Sequence, residues 1–264
     1  YDNFFDLGGH SLLAMRVLAA LHKRLEVEIS IRDIFTYPRL IDLAAHVSGQ
    51  RKGLSLPALQ VQDRGEAIPL SFSQERLWFI DRLQGSVHYH IPVVLSLDGP
   101  LDEVALKGAL AGIIDRHEVL RTVFREEEGG VYQQVLSADN WELKIRDAGE
   151  FEHAASLQQW LDQELVLPFD LRRDYMLRAS LVRYSAEKHL LVVVLHHIAA
   201  DGWSGDILVQ EFTILYRAAV AGHPAMLPML PVQYADYAVW QRTYLTAAVL
   251  EEKLSWWTAR LKGV

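Results

Sequence analysis

Residues 191–195 read LVVVL and run directly into two adjacent histidines, His196 and His197. A five-residue aliphatic run rich in β-branched valine is far too short to cross a membrane, and it lacks the polar alternation of a strand with one wet face. It predicts a strand covered on both faces, which requires a sheet with other elements packed against each side. The surrounding chain supplies them. From Ile68 on, FSQERLWFIDRL reads as helix, YHIPVVLSLDG as strand, LDEVALKGALAGIIDRHEVL as amphipathic helix and RTVFREEEGGVYQQVL as a hairpin around Gly129 and Gly130. LQQWLDQELVLPF (157–169) returns to helix, LRASLVRY and KHLLVVVLHH to strand, and ILVQEFTILYRAAV to helix. The expectation is a mixed α/β domain built on a substantial sheet.

The first 47 residues have a different character. SLLAMRVLAALHKRL (11–25) spaces Leu12, Met15, Leu18, Leu21 and Leu25 by threes and fours, a helical apolar stripe. SIRDIFTY (30–37) is one short turn, and PRLIDLAAHV (38–47) places Pro38 at a first helical position. Three such helices bury little surface, so a small bundle lacking its first helix is expected. Residues 48–67 lose the periodicity and have the composition of a linker, leaving 68–264 as the second domain.

Composition narrows the chemistry. With no cysteine among 264 residues there is no disulfide framework, thiolate zinc site or cysteine nucleophile, which fits a reducing compartment and a cytoplasmic location. A net charge of −8 without a Lys/Arg cluster argues against nucleic acid or a membrane surface as partner.

Two stretches carry chemistry. In DNFFDLGGHSLLAM (2–15), Ser11 follows Gly8 and Gly9 and opens a helix, where serine or His10 serves as a cap. No basic partner activates the hydroxyl as a nucleophile, but a helix N-terminus suits a phosphodiester. Asp2 to Leu12 resemble the core motif of peptidyl carrier (thiolation) domains of nonribosomal peptide synthetases. The resemblance implies a 4′-phosphopantetheine arm on Ser11, installed by a separate phosphopantetheinyl transferase.

The second stretch is HHIAADG. Strand side chains alternate, so His196 and His197 cannot both face one cavity: one works and the other packs. Asp201 and Gly202 lie on the turn into the next helix. His, His and Asp is also a conceivable metal set, but diverging histidines without an H-E-x-x-H helix argue against one. H-H-x-x-x-D-G, as His196, His197, Asp201 and Gly202, resembles the motif of the condensation-domain superfamily, which shares the chloramphenicol acetyltransferase fold. LSFSQERLWFIDRL (70–83), RHEVLRTVF (116–124), HHIAADGWS (196–204) and YADYAVWQR (234–242) resemble the first four core motifs of condensation domains in order.

That resemblance implies that His197 faces the reaction centre and that Asp201 turns away to an arginine, Arg116 or Arg121. The implied reaction joins a carrier-bound donor acyl thioester to the amine of an acceptor aminoacyl thioester. Imidazole, titrating near ~6.5, can take the amine proton, although amines near ~8 are already partly free, so orientation carries more of the effect. Gly202 lets the backbone approach the thioester, and Trp203 and Ser204 are candidates to line the cavity or to pack and cap. Trp78, Phe79, Trp240, Trp256 and Trp257 sit among aliphatic neighbours at helical spacing and are expected to pack. The implied partners are the chain's own carrier as donor, a downstream carrier as acceptor, adjacent adenylation domains and the transferase.

Carrier directly before condensation domain, with G-G-H-S at the carrier, suggests an L-configured or glycine donor. Aspartates would stand at His196 and His197 in a heterocyclisation domain. By this resemblance the chain covers the N-terminal lobe alone and is expected to be inactive without a second lobe. A coenzyme A-dependent acyltransferase of the same superfamily and a non-catalytic carrier-docking module are the alternatives.

Overall fold

A computed structural model of the protein describes residues 2–25, 27, 29–49 and 57–263. Contacts divide the chain after Ala58 into two compact units.

The first unit contains α1 (Ser11–Leu25), α2 (Ile31–Thr36) and α3 (Leu40–Gly49) around a small core of Ala14, Ile34, Leu43 and Val47, joined by Val27, Phe4 and Phe5. The expected stripe on α1 is rotated. Leu12, Met15 and Leu25 are about half exposed, while Ala14, Val17, Leu18 and Leu21 face the core. Both sets satisfy three-and-four spacing, so only the positions of α2 and α3 choose between them. Pro38 precedes α3 rather than opening it, and its carbonyl accepts from Phe4 N–H at 2.8 Å, tying the leading turn to the bundle.

The second unit holds two sheets. In the smaller, β1 (Ile68–Pro69), β3 (Thr122–Glu127) and β4 (Gly130–Val135) pair antiparallel in the order β1-β4-β3, the last two forming the expected hairpin. The larger contains β2 (His90–Asp98), β5 (Lys144–Asp147), β6 (Leu177–Ser185) and β7 (Lys188–His196) in the order β2-β7-β6-β5. Only β5 against β6 is parallel. The LVVVL run is the middle of β7, an interior strand. Leu191, Val193 and Leu195 join a core with α5 (Glu103–Arg116) and α7 (Gly202–Val220). Val192 and Val194 point the other way, to Leu77 of α4 (Phe72–Gln84), Met176 and Phe169, with Trp160 and Leu161 of α6 (Ala154–Val166) behind them. Period-two alternation thus feeds two separate cores from one strand.

The two-residue β1 and the exposed β5 were not read from the sequence, and the C-terminal helices α8 (Tyr234–Tyr244) and α9 (Ala247–Arg260) were foreshadowed only by the helical spacing of Trp240, Trp256 and Trp257. The linker also needs correction. Ser48 and Gly49 finish α3, residues 50–56 lie outside the described residues, and Gln62 and Arg64 are bonded into the second unit. The aromatics divide too. Trp78 packs against the core and Trp240 stacks between Tyr237 and Tyr244, but Phe79, Trp256 and Trp257 are each more than half exposed. Among the described residues no helix is long and apolar enough to cross a membrane.

Candidate active site

The two histidines separate at the end of β7. His196 still follows the strand's alternation, sharing the face of Val192 and Val194, and its ring is wholly buried beside Phe169 and His90. Its Nδ1 accepts from Ile198 N–H at 3.0 Å, so the neutral ring carries its proton on Nε2. That N–H donates to Ser86 Oγ at 2.8 Å, and the Ser86 hydroxyl donates to Asp81 Oδ1 at 2.5 Å. Burial, reinforced by the neighbouring His90, His197 and Arg178, pushes His196 down to about 4. His196 is therefore neutral near pH 7.

His197 lies just past the strand. Its backbone N–H donates to Tyr89 carbonyl at 2.8 Å and its ring meets Tyr89 edge-on, with centroids 6.4 Å apart. The side chain is exposed and opens into a cleft of about 610 Å³. The cleft is also lined by Arg76 of α4, His117 after α5, Asp201 and Ser204 at the start of α7, and Tyr234 of α8. The imidazole nitrogens of His197 can accept a proton or orient a donor in that space.

Among the described residues Asp201 pairs with no arginine. It is the N-cap of α7, where Oδ1 accepts from Trp203 N–H at 3.1 Å, Ser204 N–H at 2.9 Å and Ser204 Oγ at 2.8 Å. Ser204 Oγ in turn accepts from Asp201 N–H at 3.1 Å, closing a capping box. Both proposed arginines are engaged elsewhere. Arg116 bonds Glu211 at 3.0 Å and the Pro228 carbonyl, while Arg121 bonds the carbonyls of Leu136 and Asp115. The physical reason is local: at a helix N-terminus the carboxylate finds free N–H groups within its own turn, so it is satisfied without an arginine. Gly202 is the first residue of α7, and Trp203 and Ser204 both line the cleft.

Three groupings around the cleft went unread. Glu211 of α7 accepts from both Arg116 Nε and His117 Nε2, the latter at 2.6 Å, joining α7 to the end of α5. Asp236 of α8, 1% exposed, receives a bidentate Arg64 at 2.9 Å on each oxygen, plus N–H groups of Gln62 and Gln233. These bonds hold Asp236 at about 2, although burial works in the opposite direction. Arg64 also reaches Glu118 at 2.6 Å. Finally, Ser86 and Asp81 stand behind His196. The stretches RHEVLRTVF and YADYAVWQR contain His117, Glu118 and Asp236, so their positions were visible while their partners were not.

In the first unit, Ser11 is exposed at the start of the 15-residue α1, where free N–H groups and the helix dipole favour a phosphate. The turn before it depends on its glycines. Gly8 has φ +88°, and a Cβ on Gly9 would collide with the Phe4 carbonyl and ring. An exposed hydroxyl on an anion-favouring helix end fits a phosphopantetheine attachment residue.

Residues 65–264 match the family model described as Condensation domain, and residues 2–47 match Phosphopantetheine attachment site. The chain belongs to the condensation-domain family. It is a carrier segment followed by condensation-domain sequence of the nonribosomal peptide synthetase type. It is 39% identical over 269 residues to a linear gramicidin synthase polypeptide of Brevibacillus parabrevis, covering 99% of this chain and 5% of that protein. It is 42% identical over 262 residues to cyclosporin synthetase simA of Tolypocladium inflatum, covering 98% and 2%. The X-domain from teicoplanin biosynthesis superposes with a TM-score of 0.70 at 33% identity, over 79% of this chain and 46% of that one. The first condensation domain of the calcium-dependent antibiotic synthetase shares the fold, with a TM-score of 0.62 at 22% identity over 76% and 50%. This condensation-family chain thus spans a few per cent of those synthetases and about half of those solved chains.

Proposed function

We propose that the chain takes part in amide-bond formation between carrier-bound thioesters, with Ser11 as the attachment residue and His197 as the group that receives and orients the acceptor amine. The observation that carries this reading is the division of labour at the end of β7: His196 is sealed and neutral, while His197 opens into a cleft beside the capped start of α7. When bound, the phosphopantetheine arm supplies a thioester carbonyl at the end of a flexible tether. His197 hydrogen-bonds the amine as it approaches that carbonyl. The C–N bond forms, the C–S bond breaks, and the amine proton passes to the imidazole and onward to the departing sulfur. The donor is an L-amino acyl or glycyl thioester on the chain's own carrier and the acceptor sits on a downstream carrier, with adenylation domains and a phosphopantetheinyl transferase loading both.

Two measurements test this. Treatment with coenzyme A and a broad transferase adds the mass of one arm to the wild type and none to Ser11→Ala. With loaded carriers, His197→Ala lowers amide formation by roughly 100-fold or more and leaves the thermal midpoint unchanged. The assay is run on this chain alone and joined to the remaining half of a solved condensation fold. Unaltered turnover in His197→Ala refutes the role of that side chain.

A second reading has a specific observation behind it. An X-domain at 32% identity was solved as a complex with OxyB, which supports a docking role for a chain of this fold. It predicts binding of a partner protein that survives His197→Ala, with no amide product from the wild type even when joined to the remaining half of the fold.

A further inference from the structure

The mechanism proposed above uses His197, yet the best-defined polar geometry lies behind it, in a buried row of hydrogen bonds that touches no substrate. Four groups form that row, and each has its direction assigned by the next. Ile198 N–H can only donate, so His196 Nδ1 must accept; the neutral ring then donates from Nε2 to Ser86 Oγ; and the Ser86 hydroxyl, its oxygen already engaged, donates to the Asp81 carboxylate. The anion at the far end fixes that direction. A ring flip or a doubly protonated His196 would set two donors against each other at Ile198.

Ser86 reaches His197 by a second route. It follows Gly85, the residue that ends α4 with φ +78°, and its carbonyl accepts from Tyr89 N–H at 2.8 Å, closing a tight turn. The Tyr89 carbonyl at the end of that turn accepts from His197 N–H, and the Tyr89 ring abuts the His197 imidazole. The peptide units on both sides of the His197 side chain are thereby referred to one residue: Ile198 through His196, and His197 through Tyr89. A hydrocarbon of the same size would fill the space of a 3%-exposed serine without burying a hydroxyl. What the hydroxyl adds is a fixed donor and acceptor sense.

We propose that Ser86, backed by Asp81, is a positioning residue for His197, setting the imidazole's place in the cleft through the His196 ring and the Tyr89 turn. This rests on the assignment of His197 above, but it is measurable without it. The charged and titratable groups around the His196 ring are His90 on β2, Arg178 on β6, His197 just past its own strand and Asp81 beyond Ser86.

The test uses histidine-labelled protein and two-bond 1H–15N spectra, together with the transfer assay. In the wild type, His196 should show a single neutral form protonated at Nε2, unchanged from pH 8 to about pH 5. Ser86→Ala should keep the Nε2-protonated form, which Ile198 N–H still dictates, but shift its Nε2 signal as that N–H loses its acceptor, and displace or broaden the His197 ring signals. It should also lower kcat by about 10- to 100-fold with KM within about twofold, the pattern of a misplaced group rather than a lost binding contact. Ser86→Cys, nearly equal in size but a weak hydrogen-bonding group, should fall between. Asp81→Asn keeps an acceptor but also offers a donor, so it should leave the Ser86 hydroxyl without one fixed orientation and move the same His196 Nε2 and His197 signals by less than Ser86→Ala. Should Ser86→Ala fold poorly, Ser86→Cys and Asp81→Asn carry the same comparison. Unmoved His196 and His197 signals with turnover within twofold of wild type in these variants overturn the proposal. If the wild type joined to the remaining half of the fold transfers nothing, the functional reading fails by itself, and the ring signals still decide the role of Ser86.

Discussion

His196 and His197 are chemically identical side chains one peptide apart, and their surroundings give them opposite properties. The buried His196 is held neutral, so the unfolded chain binds its proton first. With a folded value near 4 against ~6.5 unfolded, stability is complete above about pH 6.5 and falls by about 3 kcal/mol as pH drops to about 4. Denaturant titrations between pH 7 and pH 4 should show that loss, and His196→Phe, which cannot titrate, should flatten the contribution. His197 is exposed and meets Tyr89 edge-on, so His197→Ala should leave the unfolding midpoint in place. Asp201 is a cap rather than an ion-pair member. Asp201→Ala should cost about 1 kcal/mol, whereas Asp201→Asn or Asp201→Ser, which still accept N–H bonds, should cost less. An arginine partner would have made all three equally damaging.

The elements meeting at the cleft are joined by carboxylates that each serve two segments. Glu211 ties α7 to the end of α5, and Asp236 ties α8 to the segment 62–64. Asp236 is the more demanding case, since its charge is almost fully buried and Arg64 supplies both balancing bonds. Arg64→Ala should destabilise the second unit by about 3 kcal/mol by equilibrium unfolding. Arg64→Lys, which cannot reproduce the bidentate geometry, should recover only part. In the first unit, Gly9→Ala should destabilise the carrier fold by about 1–3 kcal/mol through forced displacement of Phe4. A small loss of helical signal in the isolated unit would measure it.

At the scale of the whole molecule, apolar side chains of the second unit reach solvent on β2 and on α9. On β2, which is an edge strand, Val93, Val94 and Leu95 are 38–45% exposed. On α9, Trp256 and Trp257 are each 54% exposed and meet one another at right angles. Neither tryptophan belongs to a core cluster among the described residues, so Trp256→Ser and Trp257→Ser should change unfolding free energy by less than about 0.5 kcal/mol each. A loss above about 2 kcal/mol would restore the packing role expected from their helical spacing.

Local pattern was enough to place β7, the hairpin, the helices α1, α5 and α7 and the positions of Ser11, His196, His197 and Asp201 on their elements. These follow from period, β-branching and turn chemistry, which are properties of neighbours in sequence. It was also enough to show that the two histidines must diverge, because alternation along a strand is geometric. Pattern could not say which face of α1 is buried, since two stripes had the same spacing and α2 and α3 made the choice. Nor could it supply the partners of Asp201, Arg116, Arg121 and Asp236. A carboxylate can be satisfied within its own turn or by a guanidinium 172 residues away, and only the folded chain brings those competitors into range of one another.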